Sequence, residues 1–276
     1  MLANYHPITA TPFRRDEEYR EIEPCEVLAP YIRCFWGSER TYVPKAERGQ
    51  EQIVVPDTCA DIMDLIDYTD NDTESGFCGI CDSSFIANGN SGLAGHKISM
   101  FAIRFYAWGV YPFSEDSLKG SLNQYAETPS RFTWLDRELR VRLPETSSLE
   151  ERVRITEQLL LQKMESRRSH PIIDETMTNI LLHGGSLEST TLAKDAFISL
   201  RQLERLFHEY IGITPKKLSS MIRYQNLWRD VVCRDNFNIQ DAVYRYGYTD
   251  QSHLMREFRK YHRMDIQNAR QLAFQK

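Results

Sequence analysis

Apolar residues in the second part of the chain recur every three or four positions, and this spacing predicts a succession of amphipathic helices. The first begins near Ile173 and stops at Gly184-Gly185, where two glycines in a row end a helix. Another begins after Ser199, because Ser199 and Gln202 have the spacing of a capping box. The region is therefore predicted to be all helical.

A longer helix follows, since Thr214-Pro215 combines an N-cap residue with a proline at the first helical position. Its apolar positions continue to Val232, and 18 residues at about 1.5 Å each give a length of about 27 Å. After a polar break, Leu254 and Phe258 mark one face of a final amphipathic helix.

The helical pattern contains a repeat. Ala193 to Leu203 and Val243 to Leu254 each have a helix, a tight connection and a second helix, about 50 residues apart. This is the length of a helix-turn-helix unit, whose second helix enters the major groove of DNA. The two units, joined by the long helix, are predicted to read two successive major grooves.

The exposed residues of the two second helices carry groups suited to DNA. Arg201 and Arg205 share one face and could bind guanine, while Gln202 and Glu204 could contact adenine or cytosine. Lys216 and Lys217 are better suited to phosphate. The full predicted DNA-binding set is Ser199, Arg201, Gln202, Glu204, Arg205, Lys216, Lys217, Gln251, Ser252, His253, Met255, Arg256 and Arg259.

The first part of the chain has a different pattern. Residues 51–68 and 97–113 are rich in β-branched and aromatic residues, and apolar side chains on both faces of the second segment predict a strand inside a sheet or barrel. Ser148 and Glu151 again have capping-box spacing and predict a helix of about 17 residues, which could form an interface for dimerisation.

The predicted organisation is α+β. It comprises an effector-binding or dimerising domain over residues 1–165, β-rich and barrel-like or sandwich-like with flanking helices, a linker over 166–171, and an all-α DNA-binding domain over 172–276.

Arg104 interrupts an otherwise apolar strand, and a buried guanidinium must be paired or must bind an anion. Asp61 or Asp64 is its expected partner. With Tyr106 and Trp108, Arg104 could alternatively line a pocket for a small-molecule effector.

Composition and charge narrow the function. The chain has 276 residues, of which 41% are apolar and 26% charged, as in ordinary globular proteins. From His170 onward 15 Lys and Arg face 12 Asp and Glu, a net charge of +3, whereas the preceding residues carry −8. Any contact with nucleic acid is therefore expected in the second part.

We find no secretory signal and no apolar run of about 18 to 20 residues, so we expect a cytoplasmic protein without membrane contact.

The six cysteines are irregularly spaced and compatible with reduced thiols. Cys78-Gly-Ile-Cys81 has the spacing of a redox dithiol or half of a zinc site, but two small residues in a glycine-rich loop would look the same. No nucleophile elbow, phosphate loop or paired metal-binding histidines are present. We therefore expect no enzyme activity, cofactor or metal. The alternative is a cysteine-dependent sensor or alkyl-acceptor repair enzyme fused to a DNA-binding domain.

The segments ISLRQLERLFHEYIGITPKKL and IQDAVYRYGYTDQSHLMREFRKYH resemble the paired helix-turn-helix domain of the AraC/XylS family of bacterial transcription regulators. The segments LAPYIRCFW, VVPDTCADIM and IRFYAWGVYPF resemble an uncharacterised sensor-like domain of some members. The resemblance implies a sequence-specific regulator that binds double-stranded DNA and RNA polymerase, responds to a small-molecule effector and can form a homodimer. Four positions depart from the family pattern, namely Phe197, Arg263, Asp265 and Ile266.

Overall fold

A computed structural model describes residues 5–11, 19–44, 52–87 and 91–274. Nine strands form two antiparallel sheets in this part of the chain. They are β1 (Ala10–Thr11), β2 (Arg20–Ile22), β3 (Ile32–Gly37), β4 (Gln52–Val54), β5 (Cys59–Asp67), β6 (Asp72–Cys78), β7 (Phe85–Ala87), β8 (Ile98–Tyr106) and β9 (Tyr125–Glu127).

The larger sheet has the strand order β2-β3-β8-β5-β6-β9, and the smaller one has the order β1-β4-β7. Strand β8 is central, because it pairs with β3 on one side and with β5 along its whole length on the other. Apart from Met100, every side chain of β8 is buried. The prediction of a strand inside a sheet is thus confirmed.

Nine α-helices follow within the described ranges. They are α1 (Pro129–Arg142), α2 (Leu149–Met164), α3 (Pro171–Leu182), α4 (Ser189–Asp195), α5 (Leu200–Tyr210), α6 (Pro215–Cys233), α7 (Ile239–Arg245), α8 (Gln251–His262) and α9 (Ile266–Ala273). This β-rich part followed by an all-helical part is the α+β architecture predicted from the sequence. None of the described helices is long and apolar enough to cross a membrane.

Helix α2 begins where the capping pattern predicted, since the Ser148 side chain accepts a hydrogen bond from the Glu151 backbone. The Glu151 carboxylate, however, bonds Ser147 rather than Ser148. Arg152 of α2 is buried and donates to Thr146, Tyr68, Ser99 and the Met100 carbonyl, which fastens α2 to the sheet.

The second core is built around α6. Tyr224 and Trp228 of this helix are fully buried and contact the aromatic side chains of α8. The ring of His262 stacks on Phe258, and its Nδ1 lies 2.8 Å from the Tyr224 hydroxyl. This packing fixes the position of α8 relative to α6.

The helical part is also fastened to the β-rich part. Gln225 of α6 is buried, donates to the carbonyls of Ile8 and Pro56, and accepts from the Ile8 amide. The Leu118 amide donates to the Glu209 carbonyl at 2.9 Å. Between α2 and α3, Arg168 donates to the Asp116 carbonyl and the Ser114 hydroxyl. The predicted linker segment is therefore hydrogen-bonded to the β-rich part.

Candidate DNA-binding interface

Helices α4 and α5 form the first helix-turn-helix unit. The capping box predicted from Ser199 and Gln202 is confirmed: each side chain bonds the other residue's backbone. The turn before it closes through a hydrogen bond from the Ile198 amide to the Ala193 carbonyl. Phe197 occupies the turn with φ of 54° and a side chain that is 95% exposed. A phenylalanine therefore holds a left-handed conformation that favours glycine.

Helices α7 and α8 repeat this arrangement. The Tyr248 amide bonds the Val243 carbonyl, and Gly247 has φ of 66°, so Gly247 is the counterpart of Phe197. The Asp250 carboxylate caps α8 by accepting from the His253 backbone, as Ser199 caps α5. Two residues lie between Gly247 and its N-cap, and one lies between Phe197 and its own, so the second turn is one residue longer.

The arginines predicted on α5 are exposed. Arg201 and Arg205 project from α5 without a hydrogen bond or ion pair to any residue in the described ranges. Gln202 is exposed, but its carbonyl oxygen accepts from both the amide and the hydroxyl of Ser199. A bidentate contact with adenine needs that oxygen, so Gln202 cannot make it while the cap is intact. Glu204 is half-buried.

On α8, Gln251, Ser252, Arg256 and Arg259 are exposed, and both arginines lack partners among the described residues. Met255 is half-buried and packs against the core. The half-buried His253 stands edge-on to the Tyr248 ring at 5.3 Å, and its Nδ1 accepts weakly from the Thr249 amide at 3.4 Å. The α8 side chains that are available to bind DNA are therefore those of Arg256, Arg259, Gln251 and Ser252.

The sequence did not predict the structural role of Glu257, which is the only acidic residue in α8. Its carboxylate points inward and accepts from Arg223, Ser220 and Tyr248. The outer face of α8 is consequently basic, although the sequence alone shows an acid among its basic residues. The signal available in the sequence is the spacing of Glu257, which lies one residue before the buried Phe258.

The two lysines predicted to bind phosphate differ. Lys216 is exposed at the start of α6. Lys217 forms an ion pair with Asp82, which lies in the loop after β6. Its ammonium group is therefore occupied by a carboxylate of the β-rich part.

The polar groups of the residues predicted to line an effector pocket form hydrogen bonds within the protein. Arg104 donates to Asp61 from Nε at 2.9 Å and to Thr9 at 3.0 Å, which confirms Asp61, and not Asp64, as its partner. Tyr106 and Trp108 are buried and stack with centroids 4.7 Å apart. Their polar atoms donate to the carbonyls of Tyr5 and Pro30.

Three side chains at the turn between β5 and β6 lie close enough to share a metal ion, namely those of Asp67, Asp70 and His96. The nearest contact joins His96 Nδ1 and Asp67 at 2.6 Å. The hydrogen bond that Asp67 accepts from the His96 ring is the main cause that raises the pKa of His96. The other Asp67 oxygen accepts from the Thr69 and Asp70 amides, so an ordinary turn with an ion pair accounts for the group.

Comparison with known families locates two domains in the chain. A model described as a helix-turn-helix domain matches residues 192–271, and a model described as a domain of unknown function (DUF6597) matches residues 20–127. No curated protein matches the chain.

Several solved structures are similar at low identity. A transcriptional regulator with an AraC-type DNA-binding domain from Chromobacterium violaceum is 22% identical, with 38% of this chain and 94% of that chain covered and a TM-score of 0.34. ToxT from Vibrio cholerae is 11% identical over 94% of this chain and 100% of its own, with a TM-score of 0.41. ToxT bound to an unsaturated fatty acid is 8% identical over 94% and 98%, with a TM-score of 0.38.

The assignment rests on the two domain matches together with the doubled unit seen in the structure. The chain contains a helix-turn-helix domain at residues 192–271, preceded by a DUF6597 domain at residues 20–127.

Proposed function

We propose that residues 172–276 bind one specific site on double-stranded DNA, with α5 and α8 lying in two successive major grooves. The observation that carries this proposal is that both units expose arginines on their second helix that have no partner among the described residues. They are Arg201 and Arg205 on α5 and Arg256 and Arg259 on α8. Guanidinium groups without internal partners are free to bind guanine edges or phosphates.

Helix α6 supports the spacing that this docking needs. Its 19 residues give a length of about 28 Å at 1.5 Å each, near the separation of about 34 Å between successive major grooves on one side of the duplex. Because α6 packs in the core with α8, the two units would be presented by a rigid support.

The roles of the individual residues follow from their exposure. Arg205 and Arg256 are proposed to read guanine, and Ser252 and Gln251 to contact bases or phosphates near the start of α8. Arg201, Lys216 and Arg259 are proposed to position the duplex through phosphates. Ser199, Gln202 and Met255 contribute mainly through the cap and the packing that hold the two helices.

The test is fluorescence anisotropy of the full chain against genomic fragments with competitor DNA present. We expect one fragment class to bind at least about a thousandfold more tightly than random duplex. Footprinting of that fragment should then protect two patches one helical turn apart. Equal affinity for all fragments, or a single protected patch, would contradict the proposal.

We further propose that the β-rich part, residues 1–165, senses a small molecule or mediates a homodimer, and that the protein acts in the cytoplasm with RNA polymerase as a partner. Its hydrogen bonds to α6 support this role, because a change in the β-rich part would reach the helix that carries both units. A thermal-shift screen of metabolites combined with light scattering of the full chain tests it. A ligand that raises the melting temperature and changes DNA affinity would support sensing, and no ligand together with a strict monomer would contradict it.

The competing enzyme hypothesis predicts alkyl transfer to a cysteine or turnover of a substrate. Cys34 and Cys59 are poor candidates for that cysteine, since burial raises the pKa of Cys34 to about 12 and that of Cys59 well above the ordinary range. Such thiols are poor nucleophiles at neutral pH.

A further inference from the structure

Cys78 is the last residue of β6, and Cys81 belongs to the loop after it, which lies against the helical part. The sulfurs of Cys78 and Cys81 are each 3.7 Å from the same acceptor, the carbonyl oxygen of Gly79. Both side chains are half-buried. Two thiols are therefore held side by side at a partly accessible position.

The same loop makes two contacts with the DNA-binding domain. Asp82, the residue after Cys81, forms the ion pair with Lys217 in the first turn of α6. Ser84 donates from its amide and its hydroxyl to the Tyr261 carbonyl of α8, at 3.0 and 2.7 Å. The thiol pair is thus one residue away from the contact that occupies a predicted phosphate-binding lysine.

Neighbouring residues hold the loop firmly in this position. Asn123 donates to the Asp82 carboxylate and accepts from the Asp82 amide, and the Gly79 amide donates to the Gln124 carbonyl. Gly79 leaves no room for a side chain, since a Cβ there would lie 2.0 Å from the Ser121 carbonyl oxygen. A disulfide between the cysteines would therefore act on Asp82, the residue after Cys81, against its two hydrogen bonds with Asn123.

The two thiols have unequal acidity. The hydrogen bond from Cys78 lowers the pKa of Cys81, and the same bond together with burial raises the pKa of Cys78. Cys81 is accordingly the nucleophile of the pair, because the thiolate is the reactive form.

We propose that Cys78 and Cys81 form a reversible disulfide with a small-molecule disulfide such as glutathione disulfide as oxidant, and that closing this bond releases Lys217 from Asp82. A disulfide holds its sulfurs at about 2.05 Å, far closer than two hydrogen-bonded thiols. Because β6 and Gly79 fix the Cys78 side, Cys81 moves towards Cys78 and carries Asp82 with it.

The reaction is an ordinary double exchange. The Cys81 thiolate attacks one sulfur of glutathione disulfide, forms a mixed disulfide and expels one glutathione thiolate, which takes up a proton. Cys78 then loses its proton and attacks the Cys81 sulfur, which expels the second glutathione. Two protein thiols become one disulfide, and one glutathione disulfide becomes two glutathione thiols.

The consequence for DNA rests on the proposed function. With Lys217 released, one more cation can contact phosphate, so the oxidised form should bind DNA about three- to tenfold more tightly, and its salt dependence should steepen by about one counterion. The reduced form is thereby held in its weaker state by the Asp82 contact.

The first experiment measures the site without DNA. Full-length Cys233→Ser protein, which lacks the exposed cysteine, is equilibrated in glutathione buffers of graded ratio, alkylated under denaturing conditions and digested. We expect a peptide that links Cys78 to Cys81 and reappears as two alkylated cysteines on reduction. Lys217 should become more reactive to an acylating reagent in the oxidised form. Retention of both thiols across all ratios, or unchanged Lys217 reactivity after the disulfide forms, would overturn the proposal.

The second experiment compares DNA affinity of the same samples. Asp82→Asn should bind like the oxidised form whatever the redox state, and Cys81→Ser should abolish the response to glutathione disulfide. Cys25→Ser, another half-buried cysteine outside the loop, is the matched control and should respond like the parent. Absence of selective binding in every form would count against the proposed function alone, since the disulfide and the Lys217 reactivity are measured without DNA. Selective binding with equal affinity in both redox states would overturn the regulatory role.

Discussion

Arg223 of α6 donates from Nε and Nη2 to the Glu257 carboxylate of α8, at 3.0 and 2.8 Å. Both side chains are largely buried, and the Arg223 guanidinium also lies 4.5 Å from the centre of the Tyr248 ring. The pair therefore joins three parts of the second unit: the connecting helix, the turn and the second helix. It sets the angle of α8 without facing the solvent side that would meet DNA.

Glu257→Ala should lower the free energy of unfolding by about 2 to 4 kcal/mol, because Arg223 would keep its charge in a desolvated site without a partner. Urea denaturation measures this change. Glu204→Ala is the control on α5, where Glu204 is half-buried, and its effect should stay below about 0.5 kcal/mol. Equal effects of the two substitutions would show that the Arg223 contact contributes little.

Arg205→Ala and Arg256→Ala should each weaken binding to the specific site by about 1 to 3 kcal/mol, since each removes a guanidinium proposed to bind guanine. The measurement is a competition assay on specific and random duplexes. Arg137→Ala on α1, whose side chain is 78% exposed, should leave both affinities unchanged. Losses of the same size on both duplexes would instead identify phosphate contacts.

Phe197→Gly should raise the free energy of unfolding by about 0.5 to 1 kcal/mol. The substitution relieves a left-handed backbone, while an exposed side chain gives up little packing. Phe197→Ala removes the same ring but keeps a Cβ, so it should bring no gain. If the alanine and glycine variants have equal stability, strain at this turn is not the cause.

We expect the Asp64 carboxyl to lower the free energy of unfolding as the pH rises towards neutral. The carboxyl is buried without a hydrogen-bond partner among the described residues, and desolvation raises its pKa to about 7. The folded state therefore binds this proton more tightly than the unfolded state, so stability is greatest below pH 4 and falls as the pH rises to about 7. Asp64→Asn should remove that slope, with a gain over the parent that grows to at most about 4 kcal/mol at pH 7. A pH-independent difference would contradict this.

We expect His262 to give the free energy of unfolding the opposite dependence on pH. Burial lowers the pKa of its imidazole to about 4, so the folded state binds this proton less tightly than the unfolded state does. The contribution is present above pH 6.5 and is lost as the pH falls through 4, by about 3 kcal/mol in all. Thermal or urea unfolding of His262→Phe beside the parent, from pH 4 to 7, should show the difference shrinking as the pH falls. A constant difference would mean that the imidazole binds its proton equally tightly in the folded and unfolded states.

Local signals in the sequence sufficed for much of the helical part. Ser199 with Gln202, and Thr214 with Pro215, report interactions within one turn of chain, so their pattern predicts where α5 and α6 begin. The stripe that contains Leu203 and Phe207 likewise identifies the buried face. The second helix of each unit and its exposed arginines could therefore be found without coordinates.

Contacts between distant segments could not be found in this way. Lys217 and Asp82 are separated by 135 positions, and nothing in either local pattern indicates that they meet. Strand β3 was missed because its apolar residues, including Phe35, form a short run without clear alternation. Helix α1 was missed as a defined element, since its charged residues obscure the buried Leu135 and Leu139.

The extra residue between Gly247 and Asp250 makes the two reading units of one polypeptide unequal. A symmetric dimer imposes its two-fold axis on its operator, which is why such operators are palindromes. A single chain with two different units in tandem has no two-fold symmetry. Under the proposed docking its target sequence is therefore not a palindrome, and the protein binds it in one orientation only. Inverting that sequence beside a gene would turn the whole regulator around, and with it the side of the protein that faces the start of transcription.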